Sequence, residues 1–325
     1  MQETERHLAA LSEKVQAALS ALQLPEKPEN LYDPVRYILS GGGKRIRPIL
    51  LLLAAEAFGV RPESAMPGAL AVEVFHNFTL VHDDIMDQAD TRRARATVHQ
   101  KWNPNVAILS GDVMMGLSYD LLAQIEDAPT AKLIRRFHQM VFRLCEGQTL
   151  DMDFETRQDV TLADYLDMID GKTAALLMCA LEMGGILGGA NEHERAALNQ
   201  IGQQMGLAFQ IQDDYLDLMA DQAAFGKVTG GDLIQGKRTW LLLTALEKTA
   251  PDAPNWFRKV LHGGLEPADI PEARERLAEL GVLGAAEKTF QAYYEDALRA
   301  LTQIPQNVAT DTLRAVIQSL QNRTL

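Results

Sequence analysis

The sequence predicts an all-α protein. Apolar residues recur three and four apart along nearly the whole chain, no run alternates apolar and polar residues between hairpin turns, and the interruptions are short. With 325 residues the chain can bury one large core or two ordinary ones. No interruption is long or polar enough to read as a linker, so a single large helical domain over residues 1–325 is expected.

The helices follow in order, about ten or more by their start and stop signals. The opening residues Met1-Gln2-Glu3-Thr4-Glu5 are polar and acidic, unlike a secretory signal. After a break at Pro25 to Asn30, Asp33 before Pro34 reads as a cap followed by a first-turn proline. Ile49 to Ala55 is the most apolar run, far short of the roughly 20 residues of a membrane span. Thr161 ahead of Leu162-Ala163-Asp164 reads as a capping-box variant, and Gly184-Gly185 with Gly188-Gly189 suggests a helix ending. Further breaks fall at Asp127 to Pro129, Asn191, Ala250 to Pro254 and Gly263 to Pro267. The glycine-punctuated stretch Ala220 to Gly236 is where a mobile loop is expected.

A formal charge of −13 with few aromatic residues argues against a nucleic-acid partner, because a polyanion is repelled by most of such a surface. The two cysteines, Cys145 and Cys179, offer neither a disulfide framework nor a zinc pattern and read as small buried apolar residues. They fit a reducing cytosol, so a cytoplasmic protein without a membrane span is expected.

Two short stretches echo each other: Val81-His82-Asp83-Asp84-Ile85-Met86-Asp87 and Ile211-Gln212-Asp213-Asp214-Tyr215-Leu216-Asp217. In a helix Asp83 and Asp87 share a face, with Asp84 about 100° round, and the same holds for Asp213, Asp217 and Asp214. Like carboxylates at that spacing repel, and their flanks (Phe78, Leu80, Val81; Phe209, Ile211, Leu218) are apolar. Partly buried carboxylates call for a cation, and oxygen ligands without nearby cysteine favour a hard ion such as Mg2+ over zinc. One such motif is also what a solvated face looks like; two copies in apolar helices favour the metal site. Magnesium completes its shell with water and substrate phosphates, so two acidic helices can grip one diphosphate.

Basic clusters suggest a second anion. Gly41-Gly42-Gly43-Lys44-Arg45-Ile46-Arg47-Pro48 sets three cations beside flexible backbone. It is no Walker A loop, since no Ser or Thr follows the lysine, yet such a turn at a helix start can hold phosphate. Arg92 and Arg93 follow the first acidic motif closely, and His76 lies two turns before Asp83 on nearly the same face.

At these residues the chain resembles the trans-isoprenyl diphosphate synthase (polyprenyl synthetase) family. GGGKRIRP, HDDIMD with TRR, GQTLDMD, DGKTA, FQIQDDYLD and GKVTGGDLIQGK stand in the family's order between about Asp33 and Leu243. The resemblance implies an isoprenoid-synthase-like bundle around a deep central cavity, usually a homodimer. It implies that Asp83, Asp84 and Asp87, and Asp213, Asp214 and Asp217, bind magnesium. Arg92, Lys172, Lys227 and Lys237 would contact an allylic diphosphate; Lys44, Arg47, His76 and Arg93 would hold isopentenyl diphosphate. Lys172, Thr173 and Gln210 would be catalytic, the last two near the developing allylic cation, with Gln148 and Asp151 supporting the metal site. The implied reaction is head-to-tail condensation of the two diphosphates. One departure is Ala94, where the family commonly has glycine.

A growing product must run back along the first aspartate helix. Phe78 and Thr79 lie roughly 6–8 Å before Asp83 along its axis. In the family a bulky residue at the place of Phe78 limits chain length, so a short product is implied. The small Thr79 favours geranylgeranyl diphosphate, with farnesyl diphosphate the alternative. A longer-chain synthase, a terpene cyclase and a non-catalytic partner subunit are the remaining rivals. The Lys44, Arg47 and His76 set argues against a cyclase, and two intact aspartate motifs argue against a partner subunit.

Overall fold

The computed structural model describes residues 3–125, 128–219, 229–249, 256–262 and 264–323. It is helical, and the chain divides into two compact units, each drawn from three segments. The first comprises Met1–His138, Cys179–Asn199 and Thr302–Leu313; the second comprises Gln139–Met178, Gln200–Leu301 and Arg314–Leu325.

In the first unit, α1 (Glu3–Ser20), α3 (Ile46–Ala57), α4 (Pro62–Met86) and α6 (Pro104–Ala123) supply most of the core, with α4 packed on the other three. Helix α3 is apolar on all sides because it is enclosed on all sides: Leu50, Leu51, Leu52 and Leu53 are inaccessible to solvent. Each such leucine contributes about 1.5–3 kcal/mol of burial. Helix α2 (Glu29–Leu39) packs on α6. It starts earlier than the sequence suggests: Pro28, extended at φ −71 and ψ 137, is the N-cap, and Asp33-Pro34 lies inside the helix. The fixed φ of proline fits a helix, and Pro34 forfeits only one ladder bond.

Helix α6 is the one described helix long and apolar enough to cross a membrane. It buries Ala107, Ser110, Gly111, Met114, Ser118, Leu121 and Leu122 and leaves Ile108 and Leu109 exposed. Between α4 and α5 (Val98–Lys101) lies the only described sheet, a hairpin of β1 (Thr91–Arg92) and β2 (Arg95–Ala96) too short to leave an alternating pattern in the sequence.

The second unit contains most of α7 (Thr130–Thr156), then α8 (Leu162–Ile169), a π-helical turn (Asp170–Ala174), the start of α9 (Ala175–Leu187) and most of α10 (Glu192–Met219). The short α11 (Gly231–Ile234), α12 (Trp240–Lys248), α13 (Ile270–Glu279), α14 (Val282–Ala300) and the end of α15 (Val308–Gln321) complete it. The expected capping box at Thr161 is present: Asp164 N donates to Thr161 Oγ1 at 3.1 Å, and Thr161 N to Asp164 Oδ2 at 2.9 Å. Asn191 and Glu194 form the same reciprocal pair ahead of α10.

Gly189, at φ +74, does end α9, but Gly184 and Gly185 lie inside it. They are there for closeness: a Cβ at Gly184 would stand 2.4 Å from Leu51 O of α3. Of the cysteines, Cys179 is buried but Cys145 is exposed, on a face of α7 that apolar neighbours in sequence did not reveal. The expected breaks at Ala250 to Pro254 and most of the expected mobile loop lie outside the described residues.

Candidate active site

The first unit carries one group of charged residues. Asp83, Asp84 and Asp87 close α4, with Asp87 its C-cap and exposed. Asp84 is buried; Arg92 Nε of the hairpin donates to its Oδ1 at 2.7 Å, while Oδ2 has no partner among the described residues. Burial pushes the Asp84 carboxyl up, and the Arg92 guanidinium works against that. The hairpin turn places Arg93 beside the glycine-rich connection, where it donates to Gly42 O. A Cβ at Gly43 would lie 2.6 Å from Arg93 Nη1, so a larger residue there would push the end of that side chain aside.

The connection is held from within by Arg45, the N-cap of α3, at φ 47. Its buried guanidinium pairs with the buried Glu73 at 2.5 Å and donates to Leu39 O and Gly41 O; Asn77 Nδ2 also donates to Glu73 Oε1 at 3.0 Å. Lys44 is left exposed at the surface of the turn. Arg47, in the first turn of α3, makes no ion pair among the described residues: its Nη1 lies 3.1 Å from His76 Nε2, and its buried Nε has no partner among them. Burial first, then Arg47 and Arg93, push His76 well below the usual imidazole range, so it is neutral and accepts from Arg47. Desolvation likewise pushes Arg47 down.

Behind the aspartates, Phe78 packs at a tilt on Phe75 (centroids 5.2 Å) and edge-on with His82 (4.8 Å). Thr79 Oγ1 turns back to His76 O at 2.8 Å.

The second unit carries the other group. Here the π turn matters, since its extra residue per turn re-aims Lys172 and Thr173. It is pressed against α7: a Cβ at Gly147 would be 2.3 Å from Lys172 N, and one at Gly171 2.7 Å from Arg143 O. Lys172 Nζ pairs with Asp151 of α7, and Gln148 lies half-buried one turn earlier. Thr173 Oγ1 donates to Gln210 Oε1 at 3.0 Å.

On α10, Asp213 takes Arg323 Nη2 at 2.9 Å and Asp217 takes Asp232 N at 3.1 Å. Asp214 is buried with both oxygens engaged: Oδ2 accepts from Tyr165 OH at 2.6 Å and Trp240 N at 3.3 Å, and Oδ1 from Gln210 Nε2 at 3.1 Å. Burial, then Asp232, push Asp214 up to about 8 and Asp217 up to about 6. Lys237 is exposed and pairs with Asp232 at 3.2 Å. Lys227 lies outside the described residues.

Sequence reasoning did not single out Tyr165, Asp232, Arg323 or the Arg45–Glu73–Asn77 network. Asp232 had a signal inside GKVTGGDLIQGK and Arg45 one inside GGGKRIRP; the others are joined by contacts distant in sequence.

Magnesium fits these residues in one respect and is limited by them in another. Asp84 Oδ2 is a buried carboxylate oxygen without a partner among the described residues, which a cation satisfies. No group of three or more His, Cys, Asp or Glu among the described residues is gathered to hold an ion alone. A bound ion here therefore takes much of its shell from water and phosphate oxygens, as magnesium does.

Helices that end in carboxylate triplets, each with its own cations, define a transferase of diphosphate-bearing groups. The polyprenyl synthetase family matches residues 28–277, and the chain belongs to that family: it is a prenyl transferase. It is 44% identical over 239 residues to the geranylgeranyl diphosphate synthase of Methanosarcina mazei, spanning 73% of this chain and 74% of that one. It is 36% identical to the geranylfarnesyl diphosphate synthase of Natronomonas pharaonis, over 98% and 97% of the two chains. The crystal structure of geranylgeranyl pyrophosphate synthetase from Pyrococcus horikoshii superposes with a TM-score of 0.92 at 34% identity, over 99% of this chain and 100% of that one. The family acts on isoprenoid diphosphates, and the fold is the all-α isoprenyl synthase fold that the sequence led us to expect.

Proposed function

We propose that the protein condenses isopentenyl diphosphate head to tail with an allylic diphosphate to give geranylgeranyl diphosphate. The observation that carries the reading is Arg47. A desolvated guanidinium that makes no ion pair among the described residues, Glu73 being committed to Arg45, rests on a neutral histidine with Arg93 nearby and calls for an anion. Lys44, Arg47, His76 and Arg93 are assigned to isopentenyl diphosphate. Arg92, Lys172, Lys227 and Lys237 are assigned to the allylic diphosphate.

Asp83, Asp84 and Asp87, with Asp213 and Asp217, are assigned to magnesium, supported by Gln148 and Asp151. When bound, the metal neutralises charge growing on the diphosphate leaving group. Lys172 and Arg92 add fixed positive charge to the same oxygens, favouring ionisation of the allylic carbon–oxygen bond. The amide oxygen of Gln210 and the Thr173 hydroxyl offer dipoles to the allylic cation. The isopentenyl double bond attacks that cation, and a proton is then lost, with the released diphosphate as base.

Phe78, braced by Phe75 and His82, supports a short product. A homodimer is proposed too, with Ile108 and Leu109, exposed on α6, as part of its interface. The two units are read as one catalytic domain in a cytoplasmic enzyme, since neither is a continuous stretch of chain.

The test is incubation of purified protein with magnesium, labelled isopentenyl diphosphate and each allylic primer, followed by chromatography of the dephosphorylated products. A twenty-carbon peak is expected. Fifteen carbons would favour the farnesyl alternative, much longer chains would remove Phe78 as the ruler, and no incorporation would defeat the reading.

A further inference from the structure

Asp214 differs from its neighbours in being saturated by protein donors. Three groups converge on its carboxylate from three elements: Tyr165 OH from α8, Trp240 N from the start of α12, and Gln210 Nε2 from one turn earlier on α10. Tyr165 and Asp214 are both buried, and the tyrosine bond at 2.6 Å is the shortest of the three. The Gln210 amide presents Nε2 to Asp214 Oδ1, and that bond fixes which end of the amide faces the carboxyl. With Nε2 committed to Asp214, Oε1 turns to the π turn and accepts from Thr173 Oγ1 at 3.0 Å. The bonds form one directed chain, from Thr173 through Gln210 to Asp214, anchored by Tyr165 and Trp240.

We propose that Tyr165 and Asp214 are positioning residues, which lock the amide of Gln210 so that its oxygen, and the Thr173 hydroxyl bonded to it, face the allylic group. The inference rests on the reading above for Thr173 and Gln210, and it gives Asp214 a different task from Asp213 and Asp217. An amide turned the other way presents N–H groups, whose positive ends oppose an allylic cation. A carboxylate held by three donors has little left to offer a metal. Buried networks of this kind specify one geometry when every member is satisfied.

Two variants test it in the intact enzyme, after wild-type condensation has been demonstrated; failure of that first step would defeat the reading of function rather than this inference. Tyr165→Phe removes one hydroxyl and keeps the ring. Asp214→Asn keeps the volume but turns an –NH2 towards Gln210, which inverts the chain. Each is assayed for kcat, KM of both diphosphates, magnesium half-saturation, and the share of allylic primer lost as alcohol. Tyr165→Phe is expected to lower kcat about tenfold and Asp214→Asn about a hundredfold, as misplaced catalytic groups do. KM values and magnesium half-saturation should stay within about twofold in both, as for groups that act only in the transition state. A right-shift of magnesium half-saturation of about tenfold or more in Asp214→Asn would make Asp214 a metal ligand and overturn the inference. Unchanged kcat in Tyr165→Phe would overturn it as well. Should Tyr165→Phe fold poorly, judged by its melting temperature, the magnesium response of Asp214→Asn decides.

Discussion

At Arg93 and Ala94 the backbone is left-handed at two consecutive positions, with φ 51 and φ 58. That is the primed turn a two-residue hairpin demands, and glycine is the residue that adopts it freely. Ala94 therefore carries strain, and Ala94→Gly is expected to stabilise the protein by about 1 kcal/mol, read from denaturant unfolding. Phe78 bears instead on the product: Phe78→Ala should lengthen the prenyl chain in the chromatographic assay, and an unchanged profile would remove it as the ruler. Asp217 predicts a pH dependence. Its folded carboxyl is raised to about 6 by burial and Asp232, so the stability it contributes is present below the ordinary carboxylate range and lost as pH rises through about 6. Magnesium wants the ionised form, so its affinity should rise with pH across that window, measured by titration calorimetry at pH 5.5 and 7.5.

Among the elements, the π turn is the one the sequence hid. DGKTA was legible as a motif, but nothing in its spacing distinguishes a π turn from an α-helix. What holds it is the close approach of Gly147 and Gly171, which lie 24 residues apart in the chain. Gly147→Ala should force α7 and the turn apart. The expected cost is about 1–3 kcal/mol with a fall in kcat, because Lys172 N is the atom the new methyl meets. Helix α2 shows the opposite limit: Asp33-Pro34 is a sound local start signal, and Pro28 overrode it five residues earlier by capping Glu29–Leu39. The hairpin escaped notice because two-residue strands leave no periodicity to read.

For the molecule as a whole, the absence of a three-ligand protein cage among the described residues separates metal from fold. Chelation should abolish turnover while the far-ultraviolet circular dichroism stays helical. Magnesium with inorganic diphosphate should stabilise the protein by about 2.7 kcal/mol at a hundredfold excess over Kd. By itself the sequence determined the helical class, the two aspartate triplets, the basic residues and so the chemistry, since helical period and motif order are local properties of the chain. Only the tertiary structure decided which of those charges are already paired. Asp84 with Arg92, Lys172 with Asp151, Arg45 with Glu73 and Asp214 with Tyr165 are joined across 8 to 49 residues of chain. It also decided that Arg47 carries no ion pair among the described residues, because burial and partnership arise from packing between helices, which no spacing along one helix specifies.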